Sequence, residues 1–486
     1  MSSIGRPYIT QKALLYLALL FVCVAGGLAL LIPPHIYPIA AAMALIAVAF
    51  MIYSPITALL IYLVFFLAWP QEWAPYFQYL PDFTERIIGF MAIGSLAITM
   101  LFRQQSYFYL GRIGYGIIAL MVAYGLSAFN AYYLTEVKDT LIDVLRLFVV
   151  YILVVNIVDN PRKLRAVVWL YFAAIGIHVL MSVMNYYSGI VQVRMGIARA
   201  LGLGLSYADP NSHAATITYA LPVLFYFMRE YAGRIQTLIL IGIGALGCWN
   251  IILTGSRTAM VGVIFMVGVI IFRSRHKAVY ALVAVLLLAM VATVMPDQYK
   301  ERFVSTADIS SDTGAAESAR GRLEGLEHGF KLWMQSPITG VGAGCYAVAR
   351  GVEFGIYMSS HNMLGELIAE SGVIGLTAFG FFIWAVFTTL RRARRWLIRN
   401  GETADNRMMY GLIDGIMVSY GLLFLLGLAG HNLYRYNWFF FGALVTVIWQ
   451  QVAQQIDRQS TREEPAEGHV ERAESTSSLS QGGSRA

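Results

Sequence analysis

Arg257, Arg322 and His361 are the side chains whose chemistry packing alone does not explain. Arg257 stands in Thr254-Gly255-Ser256-Arg257-Thr258, where one apolar run turns tightly into the next. A charge that close to membrane depth is costly unless it is paired or solvated. It is either an interfacial anchor that snorkels to headgroups or an anion clamp, since a guanidinium matches phosphate oxygens in a planar fork. Arg322 directly precedes the apolar face of an amphipathic segment and would point along the membrane surface. There it is either solvated or set to meet a lipid-linked phosphate. For its neighbour Arg320, solvated surface charge is the default. His361, in Ser360-His361-Asn362-Met363, comes just before a helical pattern. A helix N-terminus and nearby arginines disfavour imidazolium, which leaves a neutral ring able to accept a proton near pH 7. The bland alternative is that Ser360 or His361 caps the helix.

Other polar residues gather near these three. Glu366 and Glu370, one helical turn apart, either orient the histidine, pair with an arginine, or face a packed helix interface. Asp209-Pro210-Asn211 is good turn and N-cap chemistry. His431 and Arg435, in His431-Asn432-Leu433-Tyr434-Arg435, are interfacial anchors or reserve site residues. Arg194 and Arg199 are within reach of an anionic ligand, and Asp143 and Arg146 are spaced to pair with each other. Gly340-Val341-Gly342-Ala343-Gly344 lacks the strand-and-helix context of a nucleotide loop and reads as a flexible turn. No ligand spacing suggests a metal site, and no cofactor is implied.

The elements that must position these residues are membrane helices. Hydrophobic residues make up 58% of the 486, charged residues 13%, and the mean hydropathy is +0.63. These values indicate a polytopic all-α membrane protein, and the continuously apolar runs argue against a β-barrel. About fourteen spans (12–14) are expected, near 13–32, 36–52, 54–69, 86–102, 113–130, 141–158, 164–187, 213–229, 235–254, 256–273, 278–295, 364–390, 408–430 and 436–453. With the N-terminus inside, most basic loops fall on the inner face, among them the cluster Arg391, Arg392, Arg394, Arg395 and Arg399. The loop Ser188–Ser212, with Arg194 and Arg199, is an exception. Both termini are then cytoplasmic. The net charge of +7 is absorbed by this pattern and calls for no nucleic acid partner. Three cysteines, with Cys23 and Cys248 in apolar runs and Cys345 in a loop, make no disulfide framework.

Three regions follow: helices in 1–200, a second transmembrane region at 201–453, and a disordered cytoplasmic tail at 454–486. The second includes a large outside loop, 296–360. In that loop Leu323, Leu326, Phe330 and Trp333 share a helical face opposite Glu324, Glu327, His328 and Lys331, and the helix should stop near Ser336 because Pro337 follows. It is expected to lie along the outer membrane–water boundary, against membrane lipids.

The ordered set TGSRTAM (254–260), GRLEGLEHGFKLWMQSPITGVGAG (321–344) and HNMLGELIAESGVIG (361–375) resembles the O-antigen ligase and polymerase superfamily of bacterial inner-membrane proteins. The resemblance is specific over about residues 205–390. It implies a GT-C-like helical membrane fold and an inverting, metal-independent glycosyltransferase. Its donor would be a glycan on undecaprenyl diphosphate, used at the periplasmic face. By motif position Arg257 and Arg322 look like the diphosphate-contacting arginines and His361 like the catalytic histidine. The acceptor would be a lipid core, a protein, or another lipid-linked glycan, which separates ligase, protein O-glycosylation and polymerase readings. A non-enzymatic transporter of a lipid-linked sugar is the rival from another class. Transporters often place broken helices around a midplane site, whereas the ionisable residues here gather at one face.

Overall fold

A computed structural model describes residues 48–49, 51–74, 80, 83–103, 108–194, 196–204, 209–295, 299–300 and 314–480. The expected span 13–32, most of 36–52, and residues 301–313 of the expected outer loop lie outside these. The longer helices are α1 (Pro55–Ala68), α2 (Thr84–Arg103), α3 (Gly111–Leu126), α4 (Leu134–Ile157) and α5 (Pro161–Tyr187). After a short hairpin come α6 (Pro210–Glu230), α7 (Arg234–Thr254), α8 (Arg257–Arg273), α9 (Lys277–Val294), α10 (Gly314–Gln335) and α11 (Tyr346–Phe354). The chain closes with α12 (Met363–Arg399), α13 (Ala404–Gly427) and α14 (Tyr436–Ser480).

Among the described residues, seven helices (α2, α3, α4, α5, α7, α12 and α13) are long and apolar enough to cross a membrane, rather than fourteen. The protein is a multi-pass helical membrane protein. Most other expected spans fall on helices too, several of them shorter or more polar. α1 has 14 residues and α8 has 17 with an arginine at each end. α6 carries Asn211, Ser212, His213, Thr216 and Thr218 in its first half, and most of that half is buried. A helix shielded from lipid by its neighbours does not need an apolar circumference.

Close backbone approach holds the centre together, as in many membrane helix pairs where small residues replace bulk at the contact. Gly411, Gly415 and Ser419 recur every fourth residue along α13 and face α6. A Cβ on Gly415 would lie 2.6 Å from the Val223 Cα. The Ser419 hydroxyl donates to the Tyr219 carbonyl at 2.7 Å, giving this seam a hydrogen bond in surroundings without water. α3 meets α12 in the same way, with Gly116 against the Phe382 backbone.

The loop Ser188–Ser212 contains a short antiparallel hairpin, β1 (Val191–Arg194) with β2 (Ile197–Ala200), within the all-α architecture. One expectation about local structure needs correction. The glycine run is not a flexible turn. α12 is broken at Gly372, whose φ of 59° and ψ of −155° favour glycine, and the freed backbone groups pair with the run. The N–H of Val341 donates to Ala369 at 2.8 Å, that of Gly342 to Glu370 at 3.1 Å and that of Val373 to Pro337 at 2.9 Å. Residues 481–486 of the expected tail lie outside the described residues, and α14 runs as far as Ser480. Its residues include strong helix formers such as Gln, Glu, Arg and Ala.

α10 ends at Gln335 before Pro337, as its sequence requires, and it packs inward with a face other than its apolar one. Gly325, His328, Gly329 and Leu332 are buried, while Leu323, Phe330 and Met334 are exposed. Gly325 and Gly329 press on the start of α12: a Cβ at 325 would overlap the Ser360 carbonyl, and one at 329 would come within 2.7 Å of the Gly365 oxygen. His328, expected on the polar outer face, instead stacks on Phe354 with ring centroids 4.0 Å apart.

Candidate active site

The C-terminal end of α7 and the N-terminal ends of α8, α12 and α14 lie at one end of the bundle, beside α10 and the hairpin. The turn that delivers Arg257 is short because Gly255 takes a left-handed φ of 61° and Ser256 caps α8, its hydroxyl accepting from Ala259 N–H at 3.4 Å. Arg199 holds this turn from below. It is fully buried, and its Nε donates to the Thr254 carbonyl at 2.6 Å while Nη2 donates to Asn211 Oδ1 at 2.7 Å. Arg199 and Asn211 therefore build the support for Arg257 through this pair of bonds.

Arg322 closes the gap between separate elements. Its Nε donates to the Ala429 carbonyl at 3.0 Å and its Nη2 to Thr258 Oγ1 at 3.4 Å. Thr258 is the residue after Arg257, so the two guanidinium groups share one neighbourhood. Arg257 lies within electrostatic reach of both Arg322 and Arg194. Burial holds the Arg322 pKa below the ordinary guanidinium value, without threatening its charge. Arg320 is exposed on α10.

His361 is not the helix cap. Asn362 takes that role, its Oδ1 accepting from the Leu364 N–H at 3.0 Å and the Gly365 N–H at 3.1 Å, while its Nδ2 donates to the Leu428 carbonyl at 3.0 Å. The imidazole is thereby left free, and His361 sits at φ 53°, a left-handed conformation rare for a residue with a side chain. Desolvation lowers its pKa first, followed by Arg322, with Arg194 and Arg350 acting in the same direction and Asp209 opposing them. The ring is thus a neutral base at ordinary pH, surrounded by cations from α10, the hairpin and α11.

The remaining candidates separate clearly. Asp209 caps α6, accepting from the Ser212 N–H at 2.8 Å, and its charge also reaches His361 and His431. His431 is more than an anchor. Its ring stands edge-on to His361 with centroids 5.8 Å apart, and its Nδ1 is 3.9 Å from Glu366 Oε1. Burial, then Arg435 and His361, push its pKa down to about 4. Arg435 therefore belongs to the rim as a charge facing His431. Glu366 and Glu370 are both buried; Glu370 accepts from the Tyr346 N–H at 3.2 Å and from the Tyr434 hydroxyl. Asp143 and Arg146 pair at 3.0 Å. Among the described residues no group of three His, Cys, Asp or Glu side chains is arranged to hold a metal ion.

Arg350 escaped the sequence reading. It is fully buried, its Nε donates to His328 Nδ1 at 3.0 Å, and its Nη2 lies 3.6 Å from Glu324 Oε2. Its one sequence signal is a lone arginine on the otherwise apolar face Tyr346, Ala349, Arg350 of a short helix.

This end of the molecule concentrates positive charge from Arg194, Arg257, Arg322 and Arg350 around a neutral imidazole, with Asp209 as a countercharge at the mouth. Such an arrangement favours an anion whose oxygens can accept from several guanidinium groups. Residues 239–380 match the family model for O-antigen ligase. The chain carries an O-antigen ligase domain. No curated protein matches the chain. The ligase domain contains Arg257, Arg322, Arg350 and His361. Asp209, His431 and Arg435 reach the same site from outside it. The family implies a glycosyltransferase activity of the ligase or polymerase type in surface polysaccharide biosynthesis.

Proposed function

We propose that the protein transfers a glycan from undecaprenyl diphosphate to an acceptor hydroxyl by a single inverting displacement without a metal. His361 removes the acceptor proton as the oxygen attacks the anomeric carbon. The bond from that carbon to the diphosphate oxygen breaks, and negative charge grows on the departing diphosphate. Arg257 and Arg322, already oriented, stabilise that charge, the role a divalent cation plays in other transferases. The acceptor is a glycan, lipid or protein bearing a free hydroxyl, and the ligase-like label is the broader one. In this proposal the reaction runs at the periplasmic face of the bacterial inner membrane with both termini cytoplasmic, and the basic loops at the other end support that orientation.

The observation that carries this reading is the bridge made by Arg322. One side chain touches the residue next to Arg257 and the loop that bears His431, while its charge acts on His361. The test is turnover of a lipid-linked donor by the purified protein. Arg257→Ala, Arg322→Ala and His361→Ala should each lower transfer by about 100-fold or more while the protein still reaches the membrane, and the wild type should free undecaprenyl diphosphate. Normal transfer by all three variants, or movement of the donor without cleavage, overturns the proposal.

A further inference from the structure

The last four carbonyls of a helix have no N–H partner within it, and in α7 all four are met. Ile251 accepts from the Thr254 hydroxyl at 2.6 Å and Ile252 from the Gly255 N–H at 2.9 Å. The other two accept from outside the helix, Thr254 from Arg199 Nε at 2.6 Å and Leu253 from the Tyr299 hydroxyl at 3.2 Å. Tyr299 stands near the start of the large outer loop and is fully buried, in a cluster with Ala200, Ile252, Leu253 and Met295. Its hydroxyl also donates to the Ala198 carbonyl on β2 at 2.6 Å. A phenol has one proton to give, so the two carbonyls share it. The 3.0 Å contact with the Tyr186 hydroxyl is then one that Tyr299 accepts.

Hydroxyl and guanidinium thus tie the last turn of α7 to one strand, since Ala198 and Arg199 are neighbours on β2. Only Gly255 and Ser256 separate that turn from Arg257. α8 buries only Ala259, Gly262 and Ile270 along its length. Where it starts therefore depends on the turn before it and on the bond from Arg322 to Thr258. We propose that Tyr299 is a positioning residue for Arg257, its hydroxyl clamping β2 to the end of α7 and so fixing the place from which the Arg257 guanidinium meets the departing diphosphate; this rests on Arg257 acting in transfer. The hydroxyl itself touches no substrate and moves no proton in the reaction. Without it the Leu253 carbonyl loses its partner, and on this side the turn is held by Arg199 alone. Reacting geometry is sensitive to displacements of about 1 Å, so a loosened turn is felt at the guanidinium before it is felt in the fold.

The experiment uses the full chain in detergent, with lipid-linked donor and acceptor extracted from cells that make them, and counts transfer per folded molecule. Tyr299→Phe keeps the buried ring and removes only the hydroxyl. It should lower kcat/KM for the donor about tenfold, with a melting temperature close to that of wild type. Tyr186→Phe leaves the Tyr299 proton on its two carbonyls and should stay within about twofold of wild type. The deciding measurement combines Tyr299→Phe with Arg257→Ala, using enough protein to read the residual transfer. Because one residue acts through the other, Tyr299→Phe should cause no further loss in that background, whereas a merely structural residue would cost the same factor in both. Wild-type transfer by Tyr299→Phe, an undiminished loss in the Arg257→Ala background, or an equal loss in Tyr186→Phe overturns the proposal. So does a Tyr299→Phe chain that does not fold, since the hydroxyl would then be a requirement of folding. Wild-type transfer by Arg257→Ala would instead remove Arg257 itself from the reaction.

Discussion

The imidazole of His361 owes its readiness to its surroundings. Burial lowers its pKa first, and Arg322, Arg194 and Arg350 lower it further, so the base form persists further into acid than for an ordinary histidine. The sign is direct: transfer should be lost as pH falls through this lowered pKa, giving an acid limb in kcat/KM below the usual histidine range. Arg194 is exposed on β1 and can be removed without disturbing the core. Arg194→Gln takes away a positive charge, raises the His361 pKa and should move the acid limb to higher pH. The difference between variant and wild type should shrink in high salt, because charge at an exposed arginine is screened. A limb that stays in place would show that Arg194 does not act on the base.

At the scale of helices, the decisive contact is α10 against the start of α12. The Gly325 Cα faces the Ser360 carbonyl with no room for a methyl group, and this contact sets Arg322 beside His361. Gly325→Val should push α10 outward, lowering stability by about 1–3 kcal/mol and donor turnover by a larger factor than the loss of folded protein. Thermal unfolding and turnover measured on the same sample check this, and equal losses in both would reduce the seam to a stability feature. Much of this scale was legible beforehand. Asp209-Pro210 marks the start of α6, Pro337 explains the end of α10, and the spacing of Arg257, Arg322 and His361 along three separate segments points to one shared face. The inward face of α10 was not legible, because periodicity ranks side chains by hydrophobicity and cannot see that backbone contact favours the residue with none. Arg350 was hidden for a related reason, since only the fold brings His328 and Glu324 to it. The pairing of the glycine run with the opened helix at Gly372 depends on residues about thirty positions apart in the chain, beyond what local turn chemistry can report.

Across the whole molecule, the two ends of the bundle do different work. At the end away from the site, Asp414 Oδ1 accepts from Arg394 Nε at 2.6 Å and lies 2.8 Å from Arg273 Nη2, tying α13 to α12 and α8. Asp414→Asn leaves two guanidinium groups without their carboxylate and should cost up to about 3 kcal/mol, while kcat per folded molecule stays unchanged. A fall in kcat with stability intact would instead mean that the two ends communicate. The seam between α10 and α12 has a consequence of its own at this scale. Because it is made of main chain on main chain, the outward side chains Leu323, Phe330 and Met334 contribute nothing to the register that holds Arg322. That surface can therefore drift under mutation, adapting to a thicker bilayer or a bulkier neighbouring molecule, while the reacting groups keep their spacing.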